Sequence, residues 1–473
     1  MKLFYTPDHA RVGDVIPFFD DGQWKPFYLK NWNPYWGQDK RYGWHMLHTQ
    51  DHLHFTEEPT GILGGTGSVI KVEGVYHLFY CTFEQNPQRQ YVCHAISTDG
   101  QTWNTLPEDT FTPDESIYLP TDWRDPHVLW MEEEKCWWMV LCAQNVGPTA
   151  RRGCVGLCKS TDLRHWQCCE PLYAPNASMS AYECPDLFFW NGWWYLVFSQ
   201  FTDRFATMYR MSRDPHGPWI RPDVDDFDGR AFYAAKTGTD GKHRLLYGWV
   251  PSKTQNHYGF EPNDYPGYDY NTWDWGGSLV VHELEQQQDG TLTVRPLPVL
   301  RDALPISNEL RWKELNGTWQ KSDDALRCAA PFGYAEMLSD NEVPQTCLMA
   351  FDFTFAPGTE RIGIAAQVDD SFAKGYYFYF EPERQRVQFK GPLRMHEQGG
   401  WTFQFDVELE RPLALTPGKT HHVELYKDET VYVLYVDHQV ALSARGYDLF
   451  ARKFGLILSQ GEATFTNVRL WSC

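Results

Sequence analysis

Three acidic residues stand at the mouths of apolar runs: Asp14 in VGDVIPFF, Asp125 in DWRDPHVLW and Glu183 in AYECPDLFFW. A proline follows Asp125 directly, and another follows Glu183 after one cysteine. Carboxyl groups that converge in a buried place repel one another, and at least one is then held protonated near neutral pH. A protonated acid beside an ionised one is the equipment for glycoside cleavage. One acid protonates the leaving oxygen; the other attacks the anomeric carbon or activates water. A third can bind sugar hydroxyls and steady developing positive charge. No nucleophile–histidine motif, phosphate loop or zinc-protease helix offers a rival chemistry. Taken singly, Asp14 reads equally well as a surface residue and Asp125 as the ion-pair partner of Arg124. The case for chemistry rests on their recurrence at equivalent places in a repeat.

That repeat organises the first 300 or so residues. A polar turn followed by alternating aromatic and aliphatic residues recurs as DDGQWKPFYL from Asp20, KVEGVYHLFY from Lys71, EEEKCWWMVL from Glu132, FWNGWWYLVF from Phe189 and GTDGKHRLLYG from Gly238. Each is a hairpin signal, and the spacing is roughly fifty to sixty residues. Four copies are followed by Ser or Thr, one residue, and Asp, then an aromatic: TQDHLHF, STDGQTW, STDLRHW and SRDPHGPW. Asp51, Asp99, Asp162 and Asp214 in these segments read as turn scaffolding rather than as chemistry. The unit is a four-stranded blade, and five blades make a propeller.

The strand before each hairpin lines the central channel of a propeller. Asp14, Asp125 and Glu183 lie six to nine residues ahead of their hairpin turns, about 20 Å along a strand. They are therefore expected at one end of the channel, around one axis. Asp20 and Asp21, in the turn itself, go to the opposite end. Proline beside these acids is expected to be tolerated because the first residues of a strand need not donate to the ladder.

Three prolines in EQQQDGTLTVRPLPVLRDALP mark a linker, and the texture then changes to short alternating strands without the blade motif. The expected architecture is all-β: a five-bladed β-propeller over residues 1–290, a linker over 291–305 and a C-terminal β-sandwich over 306–473. The sandwich is expected to shield propeller surface or to pair subunits into a homo-oligomer.

Composition narrows the partners. A formal charge of −20 disfavours nucleic acid and anionic membranes. No stretch approaches a membrane span, and MKLFYTPDHA lacks the pattern of a signal peptide. The 21 Trp and 26 Tyr leave aromatics to stack on sugar faces. The 12 cysteines read as free thiols in a reducing cytoplasm. Cys154 and Cys158 have no second pair at metal-site spacing, so no metal site is expected there. No cofactor is expected, since carboxylates alone can carry the reaction.

The motifs resemble those of glycoside hydrolase family 32, the β-fructofuranosidases. DWRDPHVLW looks like the family's Arg-Asp-Pro block, YECPDLFFW like its Glu-Cys-Pro-Asp block, and GGTGSVI, with Thr66 and Ser68, is similar to its Phe-Ser-Gly-Ser block. Asp14 matches the nucleophile of the family's Asn-Asp-Pro-Asn-Gly block. The resemblance implies a five-bladed propeller with a β-sandwich and a retaining double displacement. Asp14 attacks, Glu183 serves as acid and then base, and Asp125 with Arg124 grips the fructosyl hydroxyls. Asn33, Trp44 and Tyr233 are further expected sugar contacts. The chain departs from the pattern at Gly13 (Asn in the family), Val15 (Pro), Leu29 (Gln) and Gly65 (an aromatic).

The expected protein is a cytoplasmic hydrolase of sucrose, sucrose 6-phosphate or short fructans. Three alternatives stay open at this level: a fructosyltransferase, an inverting arabinan- or xylan-type hydrolase, and a carbohydrate-binding propeller without catalysis.

Overall fold

A computed structural model describes residues 2–32, 43–201, 204–254, 268, 269, 273–340, 342–391 and 407–473. Strands dominate it, as the alternating pattern demands. Five of them begin successive antiparallel units: β1 (Ala10–Ile16), β2 (Gly65–Val72), β3 (Tyr118–Met131), β4 (Tyr182–Trp190) and β5 (Tyr233–Thr239). Outward from β1 come Phe27–Trp32, Gly43–His48 and Thr56–Leu63; outward from β3 come Cys136–Asn145, Gly153–Ser160 and Gln167–Tyr173. The β2 and β5 units are likewise four strands deep. The β4 unit has three strands, with isolated bridges Met208–Asp226 and Met211–Ile220 where a fourth would lie.

The five inner strands close a ring. β1 contacts β2, β2 contacts β3, and so on round to β5, which contacts β1. Hydrogen bonding joins the first and fifth units into one eight-stranded sheet through Val12 and Gly277. The hairpin turns behave as their sequences ask: Glu73-Gly74 and Asn191-Gly192 both carry the paired positive φ of a type I′ turn. In the Ser/Thr-x-Asp segments the hydroxyl accepts the amide three residues on, as from His52 to Thr49, Gly100 to Ser97 and Leu163 to Ser160. Asp51, Asp99 and Asp162 each cap two further amides. These acids are scaffold, as expected.

One structural device was not anticipated. Every inner strand has a register irregularity at the same end: between Val12 and Val15, Gly65 and Gly67, Arg124 and His127, Glu183 and Asp186, and Tyr233 and Lys236. Within three of them Asp125, Cys184 and Ala234 take left-handed backbone, with φ of 56°, 49° and 53°. Pro126 and Pro185 therefore do not stand at strand starts, since β3 begins at Tyr118. They sit in mid-strand bulges, where the inserted residue has no ladder partner to serve. Bulges bend a strand and re-aim its side chains.

Apart from a two-stranded hairpin of Phe19–Asp20 and Gln23–Trp24, the remaining strands form a 13-stranded sheet system, folded into a sandwich around Phe351, Phe353, Phe378, Leu425 and Leu456. Leu292–Pro296, within the span read as linker, instead pairs with Gly277–Gln286 as an outer strand of the fifth unit, and a short helix follows at Pro298–Asp302. The sandwich docks on the propeller through shared core residues and buried charges. Asp228 accepts from Ser443 and pairs with His282, and Arg445 donates to the carbonyls of Val250 and Pro251.

Candidate active site

The five bulges surround a cavity of about 720 Å³. Asp14 from β1, Asp125 from β3 and Glu183 from β4 all line it, with Thr66 from β2 and Tyr233 from β5. The acids far apart along the chain thus share one chamber, because each unit delivers one bulged strand end to the same axis.

Asp14 is 7% exposed and held by donors from three elements. Trp249 Nε1 donates to its Oδ1 at 3.0 Å, and the Thr66 hydroxyl and the Cys184 thiol both reach Oδ2. Burial, and then the neighbouring Asp125, push the Asp14 carboxyl up to about 7, against the lowering effect of the Thr66 and Trp249 hydrogen bonds. Asp125 is raised as well, by burial above all and by Glu183, while Arg124 opposes the rise. Its Oδ2 accepts the Cys184 amide at 2.9 Å. Cys184 therefore bridges the two acids, its amide on Asp125 and its thiol on Asp14. The left-handed bulge in Glu-Cys-Pro is what turns its backbone toward Asp125.

Arg124 ties the carboxylates together. Its Nη2 donates to Glu183 Oε1 at 2.9 Å, its Nη1 to Asp122 Oδ1 at 2.5 Å, and its Nε stands 3.9 Å from Asp125. The second oxygen of Glu183 accepts the Tyr233 hydroxyl at 2.5 Å. Tyr233 is itself fixed by a parallel stack on Phe205, ring centroids 4.3 Å apart. To hand a proton to a leaving group, Glu183 must take one up and release one of these two donors.

Three residues read from the sequence as sugar contacts fall differently. Trp44, 1% exposed, lies in Gly43–His48, the third strand out from the axis, and packs in the core between Leu29, Met46 and Ile62. A third strand cannot reach the channel, so Trp44 is structural. Ser68 is on the inner strand but below the cavity, where its Oγ accepts the Val128 amide and locks β2 to β3. Asn33 lies outside the described residues. Asp20, in the hairpin turn, is tied to Lys25, Lys71 and Tyr76 at the far end of its unit.

The structure adds residues that the sequence reading passed over. Trp249 pairs directly with Tyr233 across the strand ladder, so it occupies the same end of the same unit. Gln90 accepts the Trp123 amide at 2.7 Å and steadies the turn into Arg124. Two departures from the family pattern have visible compensations. A Cβ on Gly13 would stand 2.3 Å from the Trp275 ring, and one on Gly65 would stand 2.6 Å from Cys81 Sγ and 3.0 Å from the Phe83 ring. Both rings line the cavity. Side chains from neighbouring elements, Trp275 at one position and Cys81 with Phe83 at the other, fill the space that side chains at 13 and 65 would take.

Residues 16–296 match the family model described as the glycosyl hydrolases family 32 N-terminal domain. The chain belongs to glycosyl hydrolase family 32. The matched span contains Asp125 and Glu183 and opens two residues after Asp14. A levanbiose-producing levanase of Bacillus subtilis (strain 168) is 25% identical over 361 residues, 67% of this family member and 64% of the levanase. The alignment thus spans under two thirds of that relative. Among solved structures, fructan 1-exohydrolase IIa from Cichorium intybus in complex with 1-kestose superposes with a TM-score of 0.72 at 14% identity, covering 100% of this chain and 97% of that one. Sucrose-6-phosphate hydrolase from Lactobacillus gasseri gives 0.71 at 14% identity, over 100% and 92%. The family 32 fold, a β-propeller followed by a β-sandwich, is the fold of this chain.

Proposed function

We propose that this family 32 protein hydrolyses β-fructofuranosyl linkages with retention of configuration, acting on sucrose, sucrose 6-phosphate or short fructans. The observation that carries the proposal is the convergence of Asp14, Asp125 and Glu183, from three inner strands, on one aromatic-walled cavity. In the first step an ionised Asp14 oxygen bonds to the anomeric carbon while the bond to the leaving oxygen breaks, and Glu183 gives that oxygen its proton. In the second step Glu183 takes a proton from water, the water oxygen attacks the same carbon, and the bond to Asp14 breaks. Arg124 and Asp125 orient the sugar hydroxyls, and Asp125 lends negative charge to the oxocarbenium-like transition state. Trp249 and Thr66 direct the Asp14 lone pairs, and Tyr233 holds Glu183.

Two coarser readings accompany this one. The propeller is taken to run through Pro296, where its last outer strand ends, with the sandwich beginning at Ile306. The 12 unpaired thiols support a reducing compartment such as the cytoplasm.

The test is to incubate the protein separately with sucrose, sucrose 6-phosphate, inulin and levan, and to quantify free fructose. At least one substrate is expected to release fructose at a rate that falls by several orders of magnitude in Asp14→Asn. Binding of these sugars without release from any of them would identify a carbohydrate-binding propeller instead.

A further inference from the structure

The sandwich carries a second cluster of ionisable groups, none of which lines the cavity. Strand β6 (Thr346–Phe355) pairs with β7 (His421–Asp428), and β7 pairs with β8 (Val431–Val436). Alternation along β7 sends Val423 and Leu425 into the sandwich core and puts His422 and Glu424 together on the other face. The loop from β8 to Val440–Arg445 has left-handed backbone at both Asp437 and His438, φ 53° in each. It turns His438 back over β7. One ligand atom from each of His422, Glu424 and His438 then lies within 4.8 Å of the other two.

The surroundings are organised as a coordination shell would be. His422 Nδ1 bonds Asp352 Oδ1 on β6 at 2.6 Å, and Asp352 Oδ2 accepts the side-chain amide of Asn467, also at 2.6 Å. The carboxylate on one ring nitrogen fixes the ring's orientation, and because Glu424 and Asp352 together favour the protonated ring, a metal at the other nitrogen displaces a proton there. That other nitrogen, Nε2, faces Glu424 Oε1 at 4.0 Å. Glu424 is only 12% exposed on its side chain. Its Oε2 is buried and makes no hydrogen bond among the described residues, though His438 Nδ1 stands 3.5 Å away. His422 and Tyr426 also interact with this carboxylate, so its charge is answered in part and Oε2 is the oxygen left for a further partner.

We infer that His422, Glu424 and His438 bind a divalent cation of borderline softness, Zn²⁺ being the representative. Two imidazoles with one carboxylate suit Zn²⁺, Co²⁺ or Ni²⁺, whereas Ca²⁺ and Mg²⁺ take oxygen ligands. Three protein ligands leave a fourth tetrahedral position for water. Ligand atoms around such an ion stand about 3.3 Å apart, so the Glu424 carboxylate closes on His422 from 4.0 Å and the His438 ring moves inward as well. It is 49% exposed and has the room to do so. The ion neutralises Glu424 and ties β7 to the hairpin that follows it.

The experiment uses the full chain, stripped with a chelator and dialysed. Zn²⁺ is titrated calorimetrically, and Co²⁺ is followed by visible absorption. The expected result is one equivalent of Zn²⁺ bound at this site and a four-coordinate Co²⁺ spectrum. His438→Ala and Glu424→Gln each weaken that binding by at least about tenfold. Zn²⁺ raises the melting temperature of the unsubstituted protein and not that of His438→Ala. Fructoside hydrolysis by His438→Ala is unchanged, so failure here is separable from failure of the proposed activity. His438 is on the surface, and circular dichroism verifies that its variant is folded. Equal Zn²⁺ affinity in the unsubstituted protein and His438→Ala would overturn the inference, as would no binding by the unsubstituted protein.

Discussion

Replacing Asp14 with asparagine should stabilise the fold, most at neutral and alkaline pH and progressively less as pH falls toward 4. The folded state holds the Asp14 carboxyl at about 7, against an ordinary value of 3.8. Above pH 7 the native protein carries a buried charge that the unfolded chain carries freely in water. A rise of that size corresponds to about 4 kcal/mol of destabilisation at pH 8. As pH falls through 7 the native carboxyl takes up a proton before the unfolded one does, so the cost shrinks. It is gone below about pH 4, where both states are protonated. Asparagine has the same shape and no charge. Its oxygen can still accept from Trp249, and its amide can donate to the Thr66 hydroxyl. For a chain of 473 residues the unfolding entropy is about 1 kcal/mol per kelvin, so the variant should melt about 4 °C higher at pH 8. The advantage should fade between pH 7 and pH 4. Scanning calorimetry of both proteins in matched ionic strength measures this directly. A variant no more stable than the unsubstituted protein at pH 8, or a difference that does not change with pH, would refute the electrostatic reasoning.

If Asp14 is the proposed nucleophile, kcat/KM should fall as pH drops below about 7, because a protonated Asp14 cannot attack. An initial-rate pH profile flat down to pH 5 would remove Asp14 from that role. Tyr233→Phe deletes the 2.5 Å hydrogen bond to Glu183 and should lower kcat by about tenfold or more with a smaller effect on KM, read from steady-state kinetics. Gly13→Ala places a methyl 2.3 Å from Trp275 and 2.8 Å from the Leu29 carbonyl. It should cost about 1–3 kcal/mol in denaturant unfolding and reduce activity, since the strand that moves carries Asp14.

The carboxylates were legible because two cues agreed. Each acid sits next to a motif that repeats, and each lies six to nine residues ahead of its hairpin turn. Knowing that strands run 3.3 Å per residue then suffices to place Asp14, Asp125 and Glu183 at one end. The bulges were not legible. Prolines 126 and 185 looked like strand-start residues, whereas they mark left-handed insertions within longer strands. Trp44 misled because sequence does not say how far a strand lies from the axis. It is aromatic and near the right motif, but two strands too far out. Ser68 misled by two residues, the spacing that separates a cavity-lining Thr66 from a hydroxyl that only joins neighbouring strands. Trp249 was within reach, since its ladder partner is Tyr233 and that register follows from the hairpin. Trp275 and Phe83 were not, because their places against Gly13 and Gly65 depend on packing between units.

In the proposed reaction Asp14 forms a bond to the sugar while Glu183 moves the proton. Glu183→Gln incubated with a fructoside bearing an acidic leaving group should accumulate a fructosyl-enzyme, because such a group departs without proton assistance and water then lacks its base. Intact-mass and peptide mass spectrometry of the quenched mixture should show one added anhydrofructosyl unit, on the peptide that contains Asp14. An adduct on another carboxylate, or a first-formed fructose of inverted configuration with no adduct at all, would contradict the account.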